Sequence, residues 1–444
     1  MSIQTTDDMY NAPSREIEFK YEIFFTEGAD PLVITKDNYL ASSSGLEEAQ
    51  SSSGDILGKV SSNEISFDLY NEDKLFTPNN TTSPYYKLIK KGVKVVAYGK
   101  VNVEGEEVDW DPLGTYYTTS WYTTSSGALA TVTANDKLYS IFDSPIPLYK
   151  VTKNTSVKDL YDSFFSLLGV SAKIDPSISD TLPFAYINGT NKEFLSELSN
   201  GVLTFCFGNR ENGVSIISRL KDVPLRATLT DDDQIYEVKD SQSIEAGYDG
   251  ISVVTNTKQE SISQEVMSIK GHMLSTGKTT LENIMLSAVP LIRLTYANVT
   301  GTNKAHVSHM IATPNSVNIE ITNDADEEHL VDIAVGGTVI ETVSSTYTEG
   351  GSNQITLNNN YIQTPTQLNK AVTYLRRANK SVSPMLEVKI RGNLKLQLGD
   401  KIHIQSTRYG VDYTGILIRH SYTYTGALSA TITLLDATLL GEVT

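Results

Sequence analysis

The sequence contains a single cysteine, Cys206, among its 444 residues. One thiol can form neither an intrachain disulfide nor a zinc site built from several cysteines. Cys206 lies in the apolar run 202–207, where we expect a buried small hydrophobic residue. No stretch approaches the roughly 18 consecutive apolar residues of a transmembrane helix, and residues 1–16 lack the basic-then-apolar order of a signal peptide. The sequence therefore predicts neither membrane insertion nor secretion.

Positive charge is also scarce. The chain has 36 Lys and Arg against 53 Asp and Glu, a net charge of -17. This balance argues against a duplex-binding surface, because nucleic-acid affinity comes mainly from basic groups that neutralise phosphates. Two interpretations remain open: plain solubility, or a ring of acidic subunits through which DNA slides. Three copies would carry a net charge of 3 × -17 = -51. The field of this charge would repel DNA, but salt screens it beyond about 10 Å at 0.1 M.

Tryptophan is rare, with 2 residues, whereas there are 24 Tyr and 12 Phe. Tyrosine together with abundant Ser and Thr favours strands over helices. The length is typical of roughly two to four domains. We therefore predict a mainly β, multi-domain α+β protein.

Motifs of catalysis and metal binding are missing as well. The six histidines are His272, His306, His309, His329, His403 and His420. His306 and His309 lack the acidic residue of an H-E-x-x-H zinc motif, so we expect them to be exposed or hydrogen-bonded in a β domain. We expect His420 to be a packed strand histidine. No signature of a thiol hydrolase surrounds Cys206.

Three further patterns have a functional and a structural interpretation. Gly277-Lys278-Thr279 matches only the end of a P-loop, so we predict a polar loop there. The acidic clusters 231–233 and 324–328 do not fit the EF-hand order, and solvated loops are expected rather than a Ca²⁺ site. The aromatic residues Tyr116, Tyr117, Trp121 and Tyr122 could stack on a sugar, but cross-strand packing is the expected role. We predict no catalytic, cofactor-binding or metal-binding residue, no cofactor, and no enzymatic activity.

The local signals are strongest in residues 361–436. Thr364 is a good N-cap, Pro365 suits the first helical position, and apolar residues recur at helical spacing after it, so a helix is predicted over 365–380. Alternating apolar residues then predict strands at 386–390, 394–398 and 402–404, followed by a hairpin from 415 to 435. One helix packed on a small antiparallel sheet is expected.

These residues resemble the closing segment of tailed-bacteriophage baseplate hub (tail-tip) proteins. The shared order is a helix, a strand, a glycine turn, an L-x-x-G-D-x-I strand start at Leu396 to Ile402, and a hairpin bounded by glycines. Residues 63–101 more loosely resemble the first, tail-tube-like domain of that family. Residues 151–217, with the order helix, loop, helix and hairpin, look like its small second domain.

The resemblance implies a tail-tube-like barrel built twice. The predicted divisions are a flexible amino-terminal arm at 1–15, a first tube-like β-barrel at 16–145, a small α+β domain at 146–221, a second barrel at 222–264 plus 359–444, and an inserted β-rich domain at 265–358. A strand at 250–254 is expected to open the second barrel, and residues 37–59 are expected to form a loop with one poor helical candidate at 46–49. No repeat of fixed period is visible in the sequence, so the duplication is predicted from the fold alone.

The resemblance also implies a function. We expect a structural baseplate hub protein of a phage or phage-like injection particle, whose homotrimer adapts the sixfold tail tube to a threefold tip and frames the DNA-ejection channel. The implied partners are the tail tube or distal tail ring protein, a spike, fibre or plug protein, and the tape measure protein. DNA would pass without specific binding, and the protein would assemble in the host cytoplasm into the virion tail. Two alternatives remain open: a tail-associated peptidoglycan hydrolase, and a host-surface glycan-binding module.

Overall fold

The computed structural model describes residues 9–10, 12, 14–49, 56–103, 108–124, 126–145, 151–187, 189–232, 234–240, 248–381 and 384–441. Strands hold 53% of the chain and helices 12%, which confirms the predicted β-rich, multi-domain α+β class. The strands are numbered β1 to β26 and the helices α1 to α4 along the chain.

The amino-terminal β unit consists of the first seven strands. They are β1 (Glu16–Phe24), β2 (Leu32–Ile34), β3 (Leu40–Ala49), β4 (Glu64–Tyr70), β5 (Lys94–Asn102), β6 (Asp111–Thr123) and β7 (Leu129–Asn135). Their buried side chains alternate along each strand, as in β1, where Ile17, Phe19, Tyr21 and Ile23 face the core. A short helix, α1 (Lys137–Phe142), follows the unit.

The α+β module comes next and has a core of its own, which α1 joins. Its elements are β8 (Thr152–Ser156), α2 (Val157–Leu167), β9 (Ala172–Ile174), β10 (Thr181–Ala185), α3 (Asn191–Gly201), β11 (Thr204–Gly208) and β12 (Val214–Ser218). The predicted caps are present: the Ser156 hydroxyl accepts from Asp159 N at 3.0 Å, and Gly169 follows the helix with a φ of 65°.

Two strands, β13 (Leu225–Thr230) and β14 (Ile235–Asp240), precede an inserted β region. The strands of that region are β15 (Gly250–Glu260), β16 (Gln264–Leu274), β17 (Gly277–Met285), β18 (Leu291–Thr300), β19 (Ala305–Ala312), β20 (Ser316–Asn323), β21 (His329–Gly350) and β22 (Gln354–Asn358). They form a five-stranded sheet and a three-stranded sheet; β16 to β21 surround a separate core, whereas buried residues of β15 and β22 pack in a cluster with the helix at 365–380.

The carboxy-terminal β unit is completed after the insertion. Helix α4 (Pro365–Lys380) leads into β23 (Met385–Ile390), β24 (Lys401–Ser406), β25 (Val411–Thr425) and β26 (Leu428–Asp436), and a 3-10 helix, Ala437–Leu439, follows. Strands β13 and β14 join this unit, because β13 pairs with β24 and β14 pairs with β23. The predicted helix over 365–380 is confirmed, with the Thr364 side chain accepting from Gln367 N.

The two β units have the same strand order. Counted from its first strand, the amino-terminal unit runs β1-β5-β6-β7-β4-β3, and the carboxy-terminal unit runs β13-β24-β25-β26-β23-β14. Ranked along the chain, with the short β2 set aside, both units therefore have the order first, fourth, fifth, sixth, third, second. One pairing differs: β1 is antiparallel to β5, whereas β13 is parallel to β24.

The units also share a β-bulge at one position. Strand β6 has one extra residue between Thr118 and Ser120 where it pairs with β7, and β25 has one between Leu417 and Arg419 where it pairs with β26. The partner strands place the two bulges at equivalent steps, Thr133 to Ala134 in β7 and Thr433 to Leu434 in β26. Because bulges are specific features of a fold, this agreement supports a duplicated unit.

A glycine with positive φ lies two residues before the fourth-ranked strand of each unit. Gly92 has a φ of 85° and Gly399 a φ of 92°, a backbone region that favours glycine. Gly92 N donates to Thr118 O at 2.7 Å, and Gly399 N donates to Leu417 O at 2.8 Å. The glycines therefore make the same contact beside the same bulge.

A short sequence repeat accompanies the last strand of each unit. Ala-Thr-Val-Thr at 130–133 corresponds to Ala-Thr-Ile-Thr at 430–433, and each is followed by an aspartate that caps the next helix. Asp136 accepts from Leu138 N at 3.0 Å, and Asp436 accepts from Thr438 N at 2.8 Å. This repeat of four residues and one aspartate is too short to give a fixed period along the chain. It becomes visible once the strands of the two units are matched by position.

Several expectations for the backbone are wrong. The strand at 250–254 does not open the second unit: β15 pairs with β21 and β22 inside the inserted region. Residues 394–398 form turns rather than a strand, although Leu394, Leu396 and Leu398 are buried as predicted. Gly277 begins β17 and does not lie in a polar loop.

The predicted amino-terminal arm has a packed end. Residues 1–8, 11 and 13 lie outside the described part of the chain. Met9 and Tyr10 are buried in the core that both β units share, and Arg15 Nη2 donates to the carbonyl oxygens of Arg391 and Gly392 at 2.8 and 2.9 Å. The described end of the arm is thus fixed to the carboxy-terminal unit.

Candidate functional site

The two β units meet along a seam formed by β3 and the second half of β25. These strands pair antiparallel, with Ala49 opposite Arg419 at one end and Ser43 opposite Thr425 at the other. Strand β3 also pairs with β4, so it joins the units into one 13-stranded sheet. We call this pairing the seam.

The sequence pattern at the position of β3 favours a loop, or a poor helix. The strand reads LASSSGLEEA and has only two large apolar positions, Leu40 and Leu46, so its own pattern is weak. Tertiary contacts decide the outcome, because neighbours on both sides satisfy its backbone groups. Leu46 is buried in the core that both units share.

A buried ion pair lies at one end of the seam. Glu48 of β3 accepts from Arg210 Nε at 2.8 Å and from Nη2 at 2.7 Å, a two-pronged contact. Their side chains are 4% and 8% exposed, which makes this pair far more enclosed than an ordinary surface salt bridge. Arg210 also donates to the carbonyl oxygens of Leu394 and Leu396, at 2.6 and 2.9 Å. One guanidinium from the α+β module thus binds both β units.

His420 lies beside this pair on β25. It is fully buried, as the sequence predicts for a packed strand histidine, and its Nδ1 lies 3.7 Å from Glu48 Oε2. Its ring is 5.6 Å from the ring of Tyr422, edge to face. Tyr422 in turn stacks on Phe19 of β1 at 5.9 Å, so side chains of both units interlock across the seam.

The electrostatics of the seam are set by burial and by close charges. Burial raises the pKa of Glu48, but the charge and hydrogen bonds of Arg210, with His420, outweigh it and lower that pKa to about 2. Burial alone would lower the pKa of Arg210, but Glu48 raises it above its usual value. Glu48 is therefore ionised at neutral pH and is paired in a buried environment.

Asp136 connects the amino-terminal unit with the α+β module. Its Oδ2 accepts from Asn63 N at 2.9 Å, and Asn63 Nδ2 donates to Gly208 O at 2.9 Å. Burial raises the pKa of Asp136 to about 7, although the hydrogen bonds that its carboxylate accepts from backbone N–H groups, such as that of Asn63, oppose the shift. Burial also raises the pKa of nearby Cys206, which is an inert thiol in the module core, as predicted.

The other residues considered in the sequence lie apart from the seam. His306 and His309 are exposed on β19, as expected, and His306 Nδ1 lies 3.3 Å from Asp324. Asp231 lies in a partly exposed turn, as expected for a solvated loop, and its carboxylate accepts from the Thr407 hydroxyl at 3.0 Å and from Arg408 N at 2.9 Å. It thereby ties the turn after β13 to the turn after β24. Asp233 lies outside the described residues.

The aromatic residues of β6 divide between packing and exposure. Tyr116 is buried, and its hydroxyl donates to Leu113 O at 2.9 Å, which confirms a packing role. Trp121 packs near Phe25 with ring centroids 6.2 Å apart. Tyr122 points outward and is 55% exposed. In the part of the chain that the structure describes, no three His, Cys, Asp or Glu side chains form a group suited to a metal ion. No described helix has the length and apolar character needed to cross a bilayer.

Comparison of sequences finds no match: no protein-family model and no curated protein resembles the chain closely enough. Comparison of structures finds matches. The 43 kDa tail protein of prophage MuSo2 from Shewanella oneidensis aligns with a TM-score of 0.53 at 11% identity, over 95% of this chain and 98% of that one. The tail protein from Neisseria meningitidis MC58 aligns with a TM-score of 0.53 at 9% identity, over 95% and 97% of the two chains.

The fold is that of a prophage tail protein. The resemblance stated from the closing segment is thereby confirmed at the level of the fold, and it extends over nearly the whole chain. The seam was missed in the sequence, and the one available signal was the pair of charged residues, Glu47 and Glu48, in the Ser-rich segment 38–54, which has no other charged residue.

Proposed function

We propose that this chain is a structural subunit of a phage or phage-like tail and forms the baseplate hub at the distal end of the tube. Three copies form a ring that adapts a sixfold tube to a threefold tip and surrounds the DNA-ejection channel. The tail-protein fold over 95% of the chain supports a place in the tail.

The duplicated β unit carries the proposal of a hub. The two units agree in strand order, in the position of the bulge and in the glycine that precedes the fourth-ranked strand. Three chains with two such units each present six related surfaces in a threefold assembly. A ring of this kind can face a hexameric tube on one side and a trimeric spike, fibre or plug on the other.

The charge supports the role of the channel. A net charge of -17 per chain disfavours adhesion to DNA, so DNA can pass without specific binding. The proposed partners are the tube or distal ring protein above, the tip protein below, and the tape measure protein in the bore. Assembly would take place in the host cytoplasm, and the mature location is the virion tail.

We propose a structural role without enzymatic activity. The seam uses its buried charged groups, Glu48 and Arg210, to bind one another and two backbone carbonyls, an arrangement suited to fixing the units rather than to chemistry. A peptidoglycan hydrolase would instead lose activity on cell walls when one acidic residue or histidine is replaced. A glycan-binding module would retain host binding when the inserted region is studied by itself.

Sedimentation of the purified protein tests the proposal. We expect a three-chain species at micromolar concentration and co-sedimentation with assembled tube protein. Monomers at every concentration, together with no association with tubes, would contradict the hub function.

A further inference from the structure

Equivalent strands of the two β units do not pair with the same number of neighbouring strands. Strand β3 pairs on both sides, with β4 and β25, whereas its counterpart β14 pairs only with β23 among the described strands. Strand β25 pairs with β24, β26 and β3, whereas its counterpart β6 pairs only with β5 and β7 among the described strands. The strand missing from the edge of β6 is thus the counterpart of β3, which is β14.

The exposure of the side chains follows this difference. On β25, where β3 covers the edge, His420 and Tyr422 are 0% and 2% exposed. The equivalent residues of β6, Trp121 and Thr123, are only half-buried, and Tyr122 between them is 55% exposed. An uncovered strand edge presents free N–H and C=O groups, which natural proteins cover or pair.

We propose that β14 of one copy pairs antiparallel with the end of β6 in a second copy and repeats the seam between chains. The proposal rests on the proposed trimeric hub and names the surface that builds it. It commits to a second copy of this chain as the occupant, because the same interface already exists inside the chain between equivalent strands.

The seam fixes the register of this contact. Within the chain, Leu46 of β3 lies opposite Tyr422 and Gly45 lies opposite Thr423. Matching β14 to β3 through their shared partner strands equates Asp240 with Leu46, because the two lie opposite Leu386 and Ile65 respectively. Matching β6 to β25 through the bulge equates Thr123 with Tyr422. Asp240 of one copy therefore lies opposite Thr123 of the next, and Lys239 lies opposite Thr124.

The contact is heterologous, since β14 and β6 are different surfaces. Such contacts form a closed ring when the rotation between copies divides a full turn, and an open filament otherwise. Strand addition at an edge supplies backbone hydrogen bonds without a large apolar patch. The polar character of β14, with exposed Glu237 and Lys239, is compatible with this mode.

Cysteine pairs test the register directly. The variant Thr124→Cys with Lys239→Cys places thiols at opposite positions, where Cβ atoms in an antiparallel pair are about 4.5–5.5 Å apart and within reach of a disulfide after small shifts. Buried Cys206 stays in place, since it is shielded from oxidant. Ser421→Cys with Glu47→Cys is the positive control, because these residues are opposite one another within the chain. The single variants and the shifted pair Thr124→Cys with Glu237→Cys are the negative controls.

After mild oxidation we expect reductant-sensitive species of two and three chains from the Thr124/Lys239 pair, at least about fivefold more than from the shifted pair. A ladder beyond three chains would support the strand pairing and contradict the three-chain count of the hub. If sedimentation shows trimers but the Thr124/Lys239 pair cross-links no better than the single variants, this interface is wrong while the hub proposal stands. Monomers under all conditions would overturn both. Circular dichroism and melting curves equal to those of the parent protein establish that each variant is folded.

Discussion

At the scale of single residues, Arg210 joins three parts of the fold: the α+β module and both β units. Its side chain leaves the hairpin of the α+β module, pairs with Glu48 of the amino-terminal β unit and donates to Leu394 and Leu396 of the carboxy-terminal unit. A buried charge that loses its partner is not stabilised by water. Breaking the pair therefore costs more free energy of unfolding than the intact pair contributes as net stabilisation.

Removing the charge of Glu48 should therefore destabilise the protein strongly. We expect Glu48→Gln to lower the free energy of unfolding by about 3–5 kcal/mol, because Arg210 would remain buried and uncompensated. Glu47→Gln is the matched control: Glu47 pairs with Arg419 at 2.9 Å, but both are more than 40% exposed, so about 0–1 kcal/mol is expected. Urea denaturation of the three proteins measures both differences. Equal effects of the two variants would contradict the role assigned to the pair.

The same pair predicts a dependence on pH. The pKa of Glu48 is about 2 in the folded protein, below the ordinary glutamate value of 4.5 expected in the unfolded chain, so the folded state favours the ionised form. The stabilisation is complete above about pH 4.5 and is lost as pH falls toward 2, amounting to about 3 kcal/mol in total. We expect the stability difference between wild type and Glu48→Gln to shrink as pH falls from 5 toward 2. Denaturation curves that keep the same difference down to pH 3 would refute this.

At the scale of elements, local signals predicted what local interactions determine. Helix α4 was predicted to the residue, because Thr364, Pro365 and the apolar spacing act within a few turns. Strand β3 and the turns at 394–398 were missed, because their structure depends on partners far along the chain. Leu394 and Leu396 alternate like strand residues and are buried like them, but their carbonyl oxygens bind Arg210 instead of a neighbouring strand.

The cap of α4 gives a test of these local interactions. The Thr364 hydroxyl accepts from Gln367 N at 3.3 Å, and the Gln367 side chain accepts in return from Thr364 N at 3.1 Å. We expect Thr364→Ala to lower the free energy of unfolding by about 1 kcal/mol. Thr366→Ala, two residues on in the first turn and exposed, should leave it unchanged or slightly raised, because alanine favours helix. Thermal melts that rank the two variants the other way would contradict the cap.

The contact between the α+β module and the amino-terminal unit is close at Gly208. A Cβ at this position would lie 1.9 Å from Asp136 Oδ2, and the Asp136 carboxylate is held by Asn63 N and by its own helix cap. We therefore expect Gly208→Ala to cost about 1–3 kcal/mol. Gly45→Ala on β3 is the control, since its nearest atom is Tyr422 O at 3.8 Å. Chemical denaturation showing both variants equally stable would mean that the module and the unit are not in this contact.

At the scale of the whole molecule, the sequence predicted the class, the resemblance to a tail protein and the idea of a doubled unit. It assigned the wrong strand to the second unit, because residues 250–254 and 225–240 are similarly apolar and only pairing distinguishes them. The repeat at 130–133 and 430–433 is too short to be recognised before the strands are matched. The two units therefore agree in strand order and in the position of the bulge rather than in their residues.

Electron-microscope images of the purified assembly test the doubled unit most directly. We predict a ring of three chains in which six similar lobes surround a central opening, with three copies of the inserted region arranged around it. A three-chain particle with three lobes, or with no opening, would contradict a threefold assembly that imitates a sixfold one.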